Sequence, residues 1–132
     1  NHFNSIMKMI KQAIEENKIV RSGDGNEVRD YIHIEDAAKI SGDLLSSKEK
    51  IEHVMITGNQ TMKIKDIVNM INEMVNNKLE ITYTNESFEE HYQITPYNFK
   101  PNVARKYNID YTHDLGQGIL ECMYEIYQKL KS

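Results

Sequence analysis

The sequence predicts an α/β fold of mixed helices and short strands, and three observations carry that expectation. Apolar residues recur at three- and four-residue spacing in several separate segments, most strictly at Ile64, Ile67, Val68, Ile71, Met74 and Val75. Between these segments lie short apolar or alternating runs bounded by Gly and Asn, the signature of strands. These strands are too few and too scattered to make a complete parallel sheet, so some of them are expected to finish a sheet begun elsewhere.

Taken in order, Phe3, Ile6, Met7, Ile10, Ala13 and Ile14 predict an amphipathic helix over residues 4 to 17. Lys18-Ile19-Val20 reads as a short strand, and Gly23-Asp24-Gly25-Asn26 supplies positions that tolerate the positive φ of a tight reversal. From Val28 to Ile34 the side chains alternate, with Val28, Asp30, Ile32 and Ile34 on one face and Arg29, Tyr31 and His33 on the other. Asp36 is expected to cap a helix starting at Ala37 whose stripe is Ala37, Ile40, Leu44 and Leu45. A strand over residues 53 to 57 ends at Gly58, the helix over 64 to 77 follows, and Leu79, Ile81 and Tyr83 alternate as another strand. Residues 84 to 101 are polar, aromatic and proline-marked, a long loop of the kind that binds ligands. Pro101 suits the first turn of a short helix ending near Tyr107. Asp114-Leu115-Gly116-Gln117 reads as a capping box for a last helix that buries Leu115, Ile119, Cys122, Met123, Ile126, Tyr127 and Leu130.

With 132 residues the chain is expected to form a single domain over 1–132, and its start at Asn1-His2, inside a helix approach, suggests a fragment of a longer protein. Sixteen Lys and Arg against 20 Asp and Glu give a net charge of −4 with no basic stripe, which argues against nucleic acid as a partner. A single cysteine, Cys122, fits a reducing compartment, and no apolar stretch approaches the roughly 20 residues that span a bilayer. A cytoplasmic protein without a membrane partner is the expectation.

The chemistry-bearing run is Gly23-Asp24-Gly25-Asn26-Glu27-Val28-Arg29-Asp30-Tyr31-Ile32-His33-Ile34-Glu35-Asp36, a Gly-rich turn joined to an arginine-bearing strand and a helix cap. With the order of elements around it, from about Phe3 to Lys129, this run resembles the C-terminal part of extended short-chain dehydrogenase/reductases. These are the NAD-dependent nucleotide-sugar epimerases and dehydratases, UDP-galactose 4-epimerase among them. The resemblance implies a C-terminal lobe of a Rossmann-type enzyme without its dinucleotide-binding domain. The chain has no G-x-G-x-x-G run, and no Tyr-x-x-x-Lys pair is expected to move a proton in it, so the resemblance assigns NAD and the catalytic Tyr and Lys to an absent N-terminal Rossmann domain. No cofactor and no catalytic residue are assigned to this chain, and no turnover is expected from it alone.

By the same resemblance Arg29 falls where the family places an arginine on the substrate pyrophosphate, a task suited to a guanidinium that forks two hydrogen bonds onto phosphate oxygens. Tyr31 shares its face and is expected near the nucleotide. The family often adds a second arginine, followed by an acidic residue, in the loop after the last strand. Here residues 89 to 101 contain none, so either His91, Tyr97 or Lys100 is expected to stand in for it or the substrate differs. His33 reads as a half-buried strand histidine, and His2, His53, His91 and His113 lack the i,i+4 or cysteine partners of a zinc site, so no metal is expected. The expected function is to hold the nucleotide diphosphate of a sugar substrate for epimerisation or dehydration. The alternative is a non-catalytic module that self-associates, as a homodimer, through its last helix or helix 64 to 77.

Overall fold

The computed structural model describes residues 4–48, 54–58, 60–84, 105–106 and 113–132. Helix α1 (Ser5–Glu16) starts at Asn4, whose side chain accepts the Met7 N–H at 2.8 Å, and stops at Asn17, which adopts the left-handed conformation with φ 52°. Its Met9, Ile10 and Ala13 are buried, and the chain turns directly into strand β1 (Lys18–Ser22). Helix α3 (Ile64–Met74) buries Ile64, Ile67, Val68 and Ile71, and strand β5 (Glu80–Thr84) returns from it to run parallel to β1, with Ile19 opposite Ile81. Helix α4 (Leu115–Lys131) closes the core with Ile119. One cluster therefore holds α1, β1, α3 and α4 together, and the periodic residues of the sequence supply nearly all of it.

Strand β2 (Val28–Tyr31) pairs antiparallel with β4 (Gln60–Lys63), with Arg29 opposite Met62 and Tyr31 opposite Gln60. Two glycines allow the approaches around it. At Gly25, with φ 77°, a Cβ would lie 2.7 Å from the Tyr83 ring, and at Gly58 one would overlap the Tyr31 carbonyl oxygen. That overlap leaves no room for any side chain at position 58.

Several expectations are corrected. Helix α2 (Ile34–Ser46) begins three residues before the predicted Ala37, and His33 is its N-cap, with Nδ1 accepting the Glu35 N–H at 3.2 Å. Asp36 lies inside the first turn and is buried, because its carboxylate is taken by a distant partner and cannot fold back to cap. The strand accordingly ends at Tyr31 and not at Ile34. In α2 only Ile40 is buried among the apolar residues, while Leu45 is 89% exposed. In α4 only Ile119 is buried, Leu115, Cys122, Met123 and Ile126 are half-buried against the core, and Tyr127 and Leu130 are exposed because α4 runs beyond the elements it packs on. Gln117 does not complete a capping box: Asp114 accepts its N–H, but its side chain turns to Glu121.

The strand expected over 53 to 57 is described as β3 (Val54–Met55), paired in parallel with β6 (Arg105–Lys106). Residues 105 and 106 are therefore strand where a short helix was expected, and the remainder of that stretch and the loop from 85 onward lie outside the described residues. Among the described residues no helix is long and apolar enough to cross a membrane.

Candidate functional site

A cavity of about 860 Å³ opens between the start of α1, the end of β1, the β2 strand and the start of α4. Its volume lies within the range of small-molecule sites, roughly 300–1,000 Å³. Arg29 and Tyr31, which alternation had put on one face of their strand, both line it, and so does His33. The parity argument does not separate the faces fully, since Asp30 and Ile32 line it too.

Arg29 donates from Nη1 to the Val28 carbonyl at 2.8 Å, which ties one edge of the guanidinium to its own strand. Burial pushes the Tyr31 hydroxyl above the ordinary tyrosine value, and the positive charges of Arg21 and Arg29 oppose that rise. Tyr31 thus stays a neutral hydrogen-bonding group beside two cations. His91 and Tyr97, together with Lys100, lie outside the described residues.

The cavity also contains residues that the sequence reading left unassigned. Arg21 lines it from the end of β1. Along a strand, residues two apart share a face, and Ile19 is fully buried, so an arginine at position 21 had to point inward. That signal was present in the sequence.

The second group is a stack of His33 on His113, ring centroids 4.1 Å apart and planes inclined by 15°. Asp36 holds His113 by two contacts, accepting the backbone N–H at 3.0 Å and facing Nδ1 at 3.1 Å. Glu35 stands 3.2 Å from the other ring nitrogen of His113, and Glu121 stands 3.6 Å from His33 Nε2. The hydrogen bond to Asp36 raises the His113 pKa above its ordinary value, with the negative charges of Asp36, Glu35 and Glu121 acting in the same direction and burial against them. The ligand atoms of His33, Glu35 and His113 lie within 4.8 Å of one another, so these three are the residues among those described that could hold a metal ion. Near-parallel rings, however, point their in-plane lone pairs side by side, and His33 Nδ1 already accepts the Glu35 N–H. As arranged the group is a cluster of stacked imidazoles and carboxylates and not a finished cation site.

Two other features carry no chemistry. The Cys122 thiol is pushed up by burial, with Glu125 and Glu121 adding to the rise, so it stays protonated at neutral pH. Tyr127 and Lys131 do have the Tyr-x-x-x-Lys spacing, contrary to expectation. They sit on the last turns of α4 with the ammonium 4.4 Å from the ring centre, and neither lines the cavity. In the Gly-rich turn the Gly23 amide is taken by the Thr84 carbonyl at 2.9 Å, and the space above Gly25 is filled by Tyr83.

The described elements share the fold of part of the NAD-dependent epimerases and dehydratases of the extended short-chain dehydrogenase/reductase class. It superposes with a TM-score of 0.74 and 20% identity on the UDP-glucuronic acid 4-epimerase of Bacillus cereus, solved in complex with UDP-glucuronic acid and NAD, over 96% of this chain and 40% of that one. A NAD-dependent NDP-hexosamine 5,6-dehydratase of tunicamycin biosynthesis, TunA, matches with a TM-score of 0.68 and 14% identity over 96% of this chain and 41% of that one. The ADP-L-glycero-D-manno-heptose-6-epimerase of Helicobacter pylori matches with a TM-score of 0.64 and 16% identity over 92% of this chain and 36% of that one. The chain thus spans about 40% of the length of the first of these. A comparison with curated proteins finds no match. The family model for GDP-mannose 4,6 dehydratase matches residues 2–114, most of the chain, and the chain belongs to that family.

Proposed function

We propose that this chain is the substrate-binding lobe of a NAD-dependent nucleotide-sugar epimerase or dehydratase, a single domain over residues 1–132 that holds the nucleotide diphosphate through Arg29. The observation that carries this reading is the Arg29 guanidinium on the wall of a ligand-sized cavity, with Tyr31 beside it. A forked guanidinium binds phosphate oxygens in two parallel hydrogen bonds. Tyr31, held neutral by burial, offers one hydroxyl and a ring edge to the nucleotide.

NAD, bound by a Rossmann domain elsewhere in the protein, supplies the hydride chemistry when present. The residues of this lobe bind and orient the sugar nucleotide. His91 and Tyr97, in the sequence after β5, are assigned to the same substrate by the family resemblance. A cytoplasmic location suits an enzyme of soluble nucleotide sugars. In the protein that carries this chain, Arg29→Ala weakens nucleotide-sugar binding by about 2–3 kcal/mol. Unchanged affinity in a calorimetric titration removes Arg29 from the site.

A second reading, a self-associating module, is favoured by one feature. Leu120, Tyr124, Tyr127 and Leu130 on α4 are each at least half exposed. Helix α3, by contrast, spends its apolar face in the core and is not available for it. This reading predicts a concentration-dependent dimer in sedimentation that Tyr124→Glu abolishes, and a monomer at high concentration defeats it.

A further inference from the structure

We infer that Arg21 is a second anion-binding residue of the cavity, and that with Arg29 it selects a diphosphate over a monophosphate. The inference rests on the reading of the Arg29 cavity as a phosphate site and goes beyond it, because Arg21 lies in β1, far in sequence from the loop where the second arginine was expected.

Four observations support it. Arg21 lines the same cavity as Arg29, and both charges act on the Tyr31 hydroxyl. Its mount is fixed: the backbone is paired opposite Tyr83 in the parallel ladder, and Nη1 donates to the Ser5 hydroxyl at 2.9 Å. Its Nε is enclosed and meets no acceptor among the described residues. Buried donors are ordinarily satisfied, so this enclosed N–H leaves hydrogen-bonding capacity unused on a side chain of the cavity wall.

Two carboxylates share the cavity wall, and each accepts one hydrogen bond from a residue off it. Asp30 receives the Thr61 hydroxyl, and Asp114 receives the Gln117 N–H as the cap of α4. Glu27, whose charge also reaches Tyr31, lies off the cavity wall and folds over Gly23. A second cation on the cavity wall favours the more highly charged of two otherwise similar anions.

The test is calorimetric titration of the protein that carries this chain with inorganic pyrophosphate and with inorganic phosphate at matched ionic strength, for the unaltered chain, Arg21→Gln and Arg29→Gln. The expected result is tighter binding of pyrophosphate, weakened about tenfold or more by Arg21→Gln, with the preference over phosphate largely lost. If Arg29→Gln loses pyrophosphate while Arg21→Gln matches the unaltered chain, the role of Arg21 is overturned and the Arg29 reading stands. If the unaltered chain binds neither anion, both fall. A measurement on the unaltered chain guards against a variant that fails to fold: the ¹⁵Nε resonance of Arg21 shifts on addition of pyrophosphate, and a stationary resonance overturns the inference.

Discussion

His113 shows most clearly how one side chain couples distant parts of the chain. Its ring and its backbone N–H both meet Asp36, 77 residues away, and its ring stacks on His33. The groups facing it are Asp36, Glu35 and His33 at the start of α2 and Glu121 on α4. Its folded-state pKa lies above the ordinary 6.5. A group raised in this way contributes stability that is fully present below the unfolded value and is lost as the pH rises through the folded one. The difference in melting temperature between the unaltered chain and His113→Gln should therefore be largest below pH 6.5 and shrink on the alkaline side. A difference that grows with pH contradicts the account.

Residues of the site were legible where local geometry decided them. Alternation placed Arg29 and Tyr31 together, and the same rule applied to Ile19 and Arg21 would have found the second arginine. His113 was not legible, because nothing local to Thr112-His113-Asp114 announces a partner at position 36. Long-range pairs of this kind are set by how α2 and α4 approach, and no spacing rule reports that.

Among the elements, α3 was the most readable, and it carries the largest share of the core. Ile67 is fully buried in it, so Ile67→Ala leaves a void between α1, α3 and α4 and should destabilise the chain by about 2–5 kcal/mol in denaturant unfolding. A loss of less than about 1 kcal/mol would mean that the site collapses around the smaller side chain or is not packed as described. Helix α2 was misplaced at its start for a specific reason. Both His33 and Asp36 are able to cap, and the choice fell to His33 once Asp36 was drawn inward to His113. In α4 the apolar spacing ran on past the core, and Tyr127 and Leu130 remain in solvent. Periodicity shows which face of a helix is apolar, but not how far its neighbours extend along it.

For the molecule as a whole, the described strands form three separate two-stranded ladders, β1 with β5, β2 with β4 and β3 with β6. Open ladder edges are the expected state of strands that finish a larger sheet, and the chain spans about 40% of the length of the B. cereus epimerase it resembles. The central claim is that the Arg29 cavity holds the diphosphate of a nucleotide sugar. The most direct measurement is a calorimetric titration of the protein carrying this chain with UDP and with GDP, alone and as their sugar conjugates, repeated with Arg29→Ala. Saturable binding of at least one of them at one site per chain, lost or strongly weakened by Arg29→Ala, is the predicted result. Binding that is absent, or that is indifferent to Arg29, contradicts it.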